Sequence, residues 1–190
     1  MRNRRRITYN SPVVLSFVII SFGVMVLNYL TAGASNRLLF VTYHSPLTSP
    51  LTYVRFFTHV LGHAGWSHYI SNMMYLLLLG PMLEEKYGSR AIIEVILITG
   101  LVTGLVTWFL FPSIALCGAS GVVFAFIMMT SFTGFREGEI PLTVILVAFI
   151  FIGQQIYEGL FVQDNISNTA HILGGIVGAV VGYNLNKKSN

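Results

Sequence analysis

Long apolar segments with few charged residues dominate this chain and restrict its possible folds more than any single motif. Hydrophobic residues make up 54% of the sequence and charged residues only 9%, whereas soluble domains carry about 25% charged residues. So few charges cannot cover a surface that faces water, and the composition therefore excludes a water-soluble domain. Since no Ser- or Pro-rich linker divides the middle of the chain, we predict one membrane-embedded domain.

Apolar stretches that are long enough to cross a bilayer, roughly 17–25 residues each, occur six times between charged or turn residues. They cover residues 12–31, 66–83, 91–111, 115–134, 140–158 and 168–186. The first resembles a signal peptide, but it has no obvious A-x-A cleavage site, so we expect it to be retained as a span. The predicted fold is all-α, a polytopic bundle of six transmembrane helices. The membrane domain would cover residues 12–186, between a basic N-terminal segment, 1–11, and residues 187–190.

A longer segment, residues 32–65, separates the first two predicted spans. It is too polar to cross a membrane and too rich in aromatic residues to be a slack linker. Aromatic side chains are enriched at the membrane–water interface. We therefore predict an interfacial first loop with short helices.

The positive charges indicate how the chain is oriented in the membrane. A net charge of +4 could suggest nucleic-acid binding, but the cations lie at the chain ends and beside apolar segments rather than in a basic stripe. With the N-terminus in the cytosol, nine of the eleven cations are cytoplasmic and only Arg37 and Arg55 are outside. The positive-inside rule then places both termini in the cytoplasm. We expect a multi-pass membrane protein, with no nucleic-acid partner.

Polar side chains inside membrane spans are costly and are by default functional candidates. The candidates are His68 and Asn72 in the second predicted span, Ser120 in the fourth, Gln154 and Gln155 in the fifth, and His171 in the sixth. In the predicted orientation, His68, Ser120 and His171 all lie less than about 10 Å below the outer end of their spans, at 1.5 Å rise per residue. Three helices are therefore expected to offer a serine and two histidines at a similar depth, near the outer side.

Ser120 lies in the sequence Gly118-Ala119-Ser120-Gly121. Flanking glycines permit close backbone approach, and the N–H groups at a helix N-terminus can stabilise an oxyanion. By itself the pattern is also typical of helix packing, because Ser and Gly are common at helix contacts in membranes. His171 favours the catalytic interpretation, since a serine nucleophile needs a base, usually imidazole, within hydrogen-bond reach.

Small residues around His171 predict how the two side chains could meet. They are Ala170, Gly174, Gly178 and Gly182, at four-residue spacing. Such a stripe lets a neighbouring helix approach closely, and Gly121 and Ala125 offer the same spacing in the fourth predicted span. This contact would bring His171 toward Ser120. The alternative is a histidine that only forms an interhelical hydrogen bond.

No acidic residue lies within four positions of His171, so a third member that would orient the imidazole is not evident. We therefore predict a Ser–His dyad rather than a triad. The ring of Phe124, one turn after Ser120, is the candidate to hold the imidazole by packing.

His68 and Asn72 are four residues apart and so share one face of the second predicted span. Side-chain donors on a fixed face suit an oxyanion hole, together with the backbone N–H of Ser120. An alternative is a metal site that combines His68 with His59 and His63, but no carboxylate or thiolate lies near them in sequence. We expect His59 and His63 to shape the first loop, and we predict no metal and no cofactor.

Together these features resemble the rhomboid family of intramembrane serine proteases, in the family's order and spacing, from about Arg55 to Gly182. The first matching features are Arg55 in the aromatic first loop and the segment His63-Ala64-Gly65-Trp66-Ser67-His68-Tyr69-Ile70-Ser71-Asn72, which is similar to the family's H-x-x-x-N segment. After it come Leu79-Gly80, Glu84 and Tyr87-Gly88-Ser89. The last are the G-x-S-G that ends at Gly121 and Ala170-His171 with Gly174 and Gly178. Two positions depart from the family's pattern. Val54 precedes Arg55 where the family often has Trp, and Phe124 stands where it often has Tyr.

The resemblance implies a bacterial-type core of six helices in the bacterial cytoplasmic membrane. It implies that Ser120 is the nucleophile and His171 the general base. It also implies that His68, Asn72 and the Ser120 N–H bind the oxyanion. The residues expected to give structural support are Gly118, Gly121, Phe124, Arg55, Glu84, Gly174 and Gly178. The implied activity is that of a serine endopeptidase that hydrolyses peptide bonds in or near transmembrane segments of membrane proteins, within the lipid bilayer.

Two other functional classes remain open on the sequence. A catalytically inactive rhomboid-like protein would bind membrane clients without cutting them, but such proteins typically lack the serine or the histidine. A transporter or channel would also place polar groups inside the membrane. The chain, however, shows neither inverted repeats nor a series of acidic residues through its spans.

Overall fold

The computed structural model describes residues 8–134, 139–161 and 165–187, without the side chains of residues 155, 158–161 and 165–167. Its elements are α1 (Pro12–Leu30), a π-helical turn (Asn36–Phe40), β1 (Thr42–Tyr43), α2 (Pro50–Thr58), α3 (Trp66–Leu110), β2 (Ala115–Leu116), α4 (Ser120–Ser131), α5 (Leu142–Phe161) and α6 (Asn165–Lys187). The predicted helical fold is confirmed, with two short strands added to it. The expectations for Arg2, Arg4, Arg5, Arg6, Arg136, Lys188 and the Gln155 side chain fall outside the described residues.

Two of the described helices, α1 and α3, are long and apolar enough to cross a membrane. Helix α4 and the Leu142–Gln154 part of α5 are shorter apolar helices. Helix α1 coincides with the first predicted span, whereas α3 extends over both the second and the third. The count of six spans stays a prediction.

Helix α3 contains a sharp break at Gly88, where φ is 82° and ψ is 158°. A positive φ strongly favours glycine, so the kink between the second and third predicted spans lies at one residue, Gly88. Ser89, after the break, donates a 2.7 Å hydrogen bond back to Glu84. Glu84 also accepts the backbone N–H groups of Val13 and Val14, at 3.0 and 3.1 Å. It therefore satisfies donors in the first turn of α1 that have no partner within that helix.

Helix α4 lies at the centre of the bundle and packs on both α3 and α6. Its Val122, Phe126 and Met129 side chains are fully buried. Tight packing, rather than exclusion of water, drives helix association in an apolar surrounding. The position of α4 is therefore set by complementary shape on both of its faces.

Helices α4 and α6 approach until their backbones touch. A Cβ atom on Gly174 would overlap the carbonyl oxygen of Gly121, and one on Gly178 would overlap that of Ala125. These are the small residues that predicted a contact between the two helices. Their spacing therefore sets the beginning of α6 beside the beginning of α4.

A two-stranded antiparallel ladder ties the first loop to the segment before α4. Thr42 lies opposite Leu116, and Tyr43 lies opposite Ala115. Because this segment is extended, α4 begins at Ser120 and not at residue 115, where the fourth span was predicted to begin. The ladder thus places Ser120 as the first residue of a helix.

The first loop is held together by buried polar contacts. Arg55 is 6% exposed, and its Nε donates to the Leu38 carbonyl at 2.9 Å. The Arg55 guanidinium also lies over the Tyr43 ring, 4.5 Å from its centroid. Asn36 Nδ2 donates to the His63 carbonyl at 3.0 Å. The loop is therefore an ordered unit that positions the start of α3.

Candidate active site

A cavity of about 400 Å³ opens between α3, α4, α5 and α6. It is lined by His68, Ser71, Asn72, Tyr75, Ser120, Val123, Phe124, Ile127, Gln154 and His171. The four residues that the sequence proposed for chemistry, His68, Asn72, Ser120 and His171, all lie on its wall. The fold thus brings side chains from three helices, far apart in sequence, to one space.

Ser120 enters the cavity from the N-terminus of α4. The turn before it contains Gly118, whose φ is +124° and whose N–H donates to the His59 carbonyl at 2.9 Å. This bond anchors the turn to the first loop. Backbone N–H groups in the first turn of a helix have no partner within that helix. Ser120 therefore combines a hydroxyl with backbone donors suited to an anionic oxygen.

His68 and Asn72 face the turn before Ser120 from α3. A Cβ atom on Gly118 would lie 2.5 Å from His68 Cε1, 2.7 Å from His68 Nε2 and 3.7 Å from Asn72 Nδ2. Residue 118 must therefore lack a side chain. Asn72 is 6% exposed, and its Nδ2 has no acceptor among the described residues. A buried donor without a protein partner is uncommon, and here it lies beside a cavity that could admit one.

His171 reaches the cavity from the first half of α6. Its ring contacts the ring of Phe124, with centroids 4.3 Å apart. Phe124 in turn contacts Phe151 of α5, with centroids 4.4 Å apart. Two aromatic rings from different helices thus support the imidazole, and Phe124 occupies the position that the sequence indicated.

His59 and His63 are almost completely buried in the first loop, and each donates a hydrogen bond to a backbone carbonyl. His59 bonds Gly100, and His63 Nδ1 bonds Leu61, both at 3.1 Å. Burial lowers the pKa of His59 to about 4. Burial, and to a lesser extent the nearby His68, lower the pKa of His63 to about 4. Both are therefore neutral near pH 7.

Within residues 8–134, 139–161 and 165–187, no three His, Cys, Asp or Glu side chains are grouped so that they could share a metal ion. His63 and His68 are close, with ring centroids 5.1 Å apart. His59 instead points to the carbonyl of Gly100 on α3. The contacts of the described histidines thus favour the loop-shaping role expected for His59 and His63.

Sequence reasoning missed part of the cavity wall. Ser71 and Tyr75 line it from α3, and Ile127 from α4. A helical-spacing argument could have found them, because Ser71 and Tyr75 follow His68 by three and seven positions. Asn36, which holds the His63 carbonyl, has no local sequence signal at all.

Residues 50–188, most of the chain, match the family model described as Rhomboid domain. The chain belongs to the rhomboid family. Mouse rhomboid-related protein 2 is 34% identical over 160 residues, covering 72% of this chain and 52% of the relative. Rhomboid-like protein 11, chloroplastic, of Arabidopsis thaliana is 24% identical over 184 residues, covering 90% and 64%. Rhomboid protease GlpG of Salmonella newport (strain SL254) is 30% identical over 137 residues, covering 68% and 47%.

These rhomboid relatives are longer than the chain, which spans between 47% and 64% of their lengths. The family is embedded in membranes, in agreement with the two apolar helices long enough to cross one. It also includes proteins named as proteases, such as GlpG. The resemblance seen in the sequence motifs is therefore confirmed at the level of the family.

Proposed function

We propose that this rhomboid is an intramembrane serine endopeptidase that cleaves transmembrane proteins with a Ser–His dyad. One observation carries the proposal: Ser120, His171, His68 and Asn72, which come from three helices, line a single cavity. A packing role for each residue separately would not require them to converge. A nucleophile, a base and oxyanion donors do require it.

In the proposed reaction, Ser120 Oγ attacks the carbonyl carbon of the scissile bond while His171 takes the hydroxyl proton. His171 then gives that proton to the leaving amine, and an acyl-enzyme remains on Ser120. His171 next takes a proton from a water that attacks the acyl carbon and gives that proton to Ser120 Oγ as the acyl–oxygen bond breaks, which releases the acid and restores the serine. The Ser120 N–H, His68 and Asn72 stabilise the oxyanion in both tetrahedral intermediates.

No carboxylate lies among the described residues that line the cavity. In the proposed dyad, packing therefore contributes to the orientation of the base. The Phe124 ring, supported by Phe151, restricts the His171 imidazole on one side. In this proposal, ring contacts help to orient the imidazole, a task that the carboxylate performs in a triad.

The proposed setting is a bundle of six spans with both termini in the cytoplasm of a bacterial cell and the cavity open to the outer side. The charge distribution of the sequence supports this orientation. A helical substrate hides its carbonyl groups in hydrogen bonds, so it must unwind locally before attack. Glycine or proline near the scissile bond should therefore favour cleavage.

Purified protein in detergent, incubated with a transmembrane substrate, tests the proposal directly. Ser120→Ala and His171→Ala should each abolish cleavage, whereas Ser131→Ala, three turns further along α4, should cleave at the parent rate. A fluorophosphonate probe should label Ser120 and not Ser71, the other serine that lines the cavity. Cleavage by Ser120→Ala at the parent rate would refute the assignment. Transmembrane proteins that bind to the parent and its variants but are cleaved by none of them would instead indicate an inactive client-binding rhomboid.

A further inference from the structure

The His68 ring is confined between two surfaces. On one side lies the turn before Ser120, where a Cβ atom on Gly118 would be only 2.5 Å from His68 Cε1 and 2.7 Å from its Nε2. On another side lies the ring of His63, with centroids 5.1 Å apart and an angle of 69° between the ring planes. The first contact places His68 beside the proposed nucleophile, and the second limits rotation of its ring.

His63 is itself held from several directions. It is 1% exposed, and its Nδ1 donates to the Leu61 carbonyl at 3.1 Å. Its ring meets Tyr69 edge to face, with centroids 5.5 Å apart. Its own carbonyl accepts a 3.0 Å hydrogen bond from Asn36 in the π-helical turn. His63 is thus a fixed support rather than a side chain that can follow His68.

The first loop therefore extends to the proposed oxyanion site through a short series of contacts. Asn36 holds the backbone of His63, His63 packs on His68, and His68 packs on the turn at Gly118. An oxyanion donor is effective only when it is already aimed at the oxygen before the reaction begins. Such aim requires a supporting residue that locks the rotamer of the donor.

We propose that His63 is a positioning residue that fixes the His68 ring against Gly118, so that His68 can serve as an oxyanion donor. This inference rests on the proposed function, because it assigns His68 to the oxyanion. His63 lies outside the residues that line the cavity, so it acts through His68 and does not touch substrate. Loss of His63 should lower kcat and leave KM nearly unchanged.

A double-mutant cycle tests the coupling. His63→Ala should lower kcat about tenfold in the parent, part of the 10²–10³-fold loss typical when a whole oxyanion donor is removed. In the His68→Ala background, His63→Ala should have no further effect, because the residue that it positions is gone. A merely structural role predicts the same loss in both backgrounds, and that result would overturn the proposal. Rates of fluorophosphonate labelling provide a second measure where turnover is too slow.

Two variants keep the test decisive if His63→Ala folds poorly. His63→Phe retains a ring against His68 and should keep kcat within about threefold of the parent. That loss is small beside the loss expected when a whole oxyanion donor is removed. His44→Ala removes an exposed histidine of the same loop that stacks on Trp108, with centroids 4.8 Å apart, and should leave kcat unchanged. A His63→Phe variant that folds like the parent but loses as much activity as His68→Ala would contradict positioning by ring contact.

An activity-independent measurement separates this inference from the proposed function. Crystal structures of Ser120→Ala protein, with and without His63→Ala, should show the His68 ring against Gly118 in the first and displaced in the second. An unmoved His68 ring would overturn the inference even if the protein is a protease. Displacement of the ring in a protein that never cleaves would support positioning and refute the proposed function alone.

Discussion

The two sides of the cavity differ in how firmly they are built. On one side, α4 and α6 touch at Gly121 and Gly174 with no room for a Cβ atom. On the other side, α5 exposes Phe149, at 77%, and Gly153 has open space around its missing Cβ atom. The side chains proposed for chemistry lie on the firm helices α3, α4 and α6. In the proposed reaction, the loosely packed α5 is better suited to yield when a substrate helix approaches.

Helix α5 is nevertheless packed firmly beside the cavity. Phe151 is 7% exposed and packs against both Phe124 and the backbone at Gly175, where a Cβ atom would lie 2.7 Å from Phe151 Cε1. Phe149, two residues earlier, points away from the protein. The contrast between the firm and the loose side can therefore be tested within a single helix as well as between helices.

The largest effect is expected at the contact between α4 and α6. Gly174→Ala would force the two helices apart and separate Ser120 from His171. Because it overpacks this contact, it should lower the free energy of unfolding by about 3 kcal/mol or more. Gly153→Ala on α5 is the matched control and should be neutral or stabilising by up to about 1 kcal/mol through helix propensity. Thermal unfolding in detergent, followed by tryptophan fluorescence, measures both. Equal losses for the two variants would remove the contrast.

A second, site-specific effect is expected at Gly118. Gly118→Ala adds a Cβ atom at 2.5 Å from His68 Cε1 and at a φ of +124°. Such backbone strain costs about 1–3 kcal/mol, and the clash should push His68 away from Ser120. We expect at least a 100-fold loss of kcat, comparable to the loss of an oxyanion donor. Cleavage assays and melting curves of the same variant measure the two effects. Activity that fell only in proportion to the folded fraction would contradict a displacement of His68.

Acid should destabilise the packing of the first loop on α3, one of the firm helices, through the buried His59. The pKa of His59 is about 4 in the fold, against 6.5 for an unperturbed histidine. Between these values the unfolded chain binds more protons, so the free energy of unfolding falls as pH falls, by on the order of 3 kcal/mol at pH 4 and below. Above about pH 6.5 this loss of stability disappears, because the histidine is neutral in both the folded and the unfolded chain.

Unfolding of the parent and of His59→Gln in detergent at pH 7.5, 5.5 and 4.5 measures the part of the acid destabilisation that His59 causes. The variant lacks the titrating imidazole, so the stability gap between the two proteins should narrow as pH falls. A constant gap across this range would show that His59 titrates normally. Phe149→Ala should follow the pH profile of the parent.

The smallest stability effect is expected at Phe149 of α5, where the same substitution can be compared with one at Phe151. Phe151→Ala should cost about 3 kcal/mol, as for a buried aromatic ring, and should lower kcat by loosening Phe124 and His171. Phe149→Ala should change stability by less than about 0.5 kcal/mol and act mainly on KM, if at all. Melting curves and kinetics of the pair decide the point. A larger effect at Phe149 would mean that α5 is firm along its whole length.

Much of the site could be predicted because its signals are local. Gly118-Ala119-Ser120-Gly121 specifies a tight turn before a helix, and the glycines after His171 specify a close helix contact. Both patterns depend only on residue spacing along one segment. Their combination predicts that Ser120 and His171 lie near each other. Phe124 was identified in the same way, from its position one turn after Ser120.

Other features could not be predicted, because they join segments that are distant in sequence. Ser11 donates to Glu84 at 2.5 Å across 73 positions, and Thr42 pairs with Leu116. No periodicity within either partner encodes such a pair. The start of α4 was therefore placed too early, since strand β2 is recognisable only from its partner in the first loop.

The amino-acid sequence alone determined that this chain is an apolar helical protein. It also determined which few polar groups are candidates for a chemical role. Composition and local spacing were sufficient for that, because each reflects the cost of burying polar groups and the geometry of a single helix. Only the tertiary structure decided which partners hold those groups in place. Asn36 supports His63, and Phe151 supports Phe124, because the folded backbone brings these pairs within contact distance.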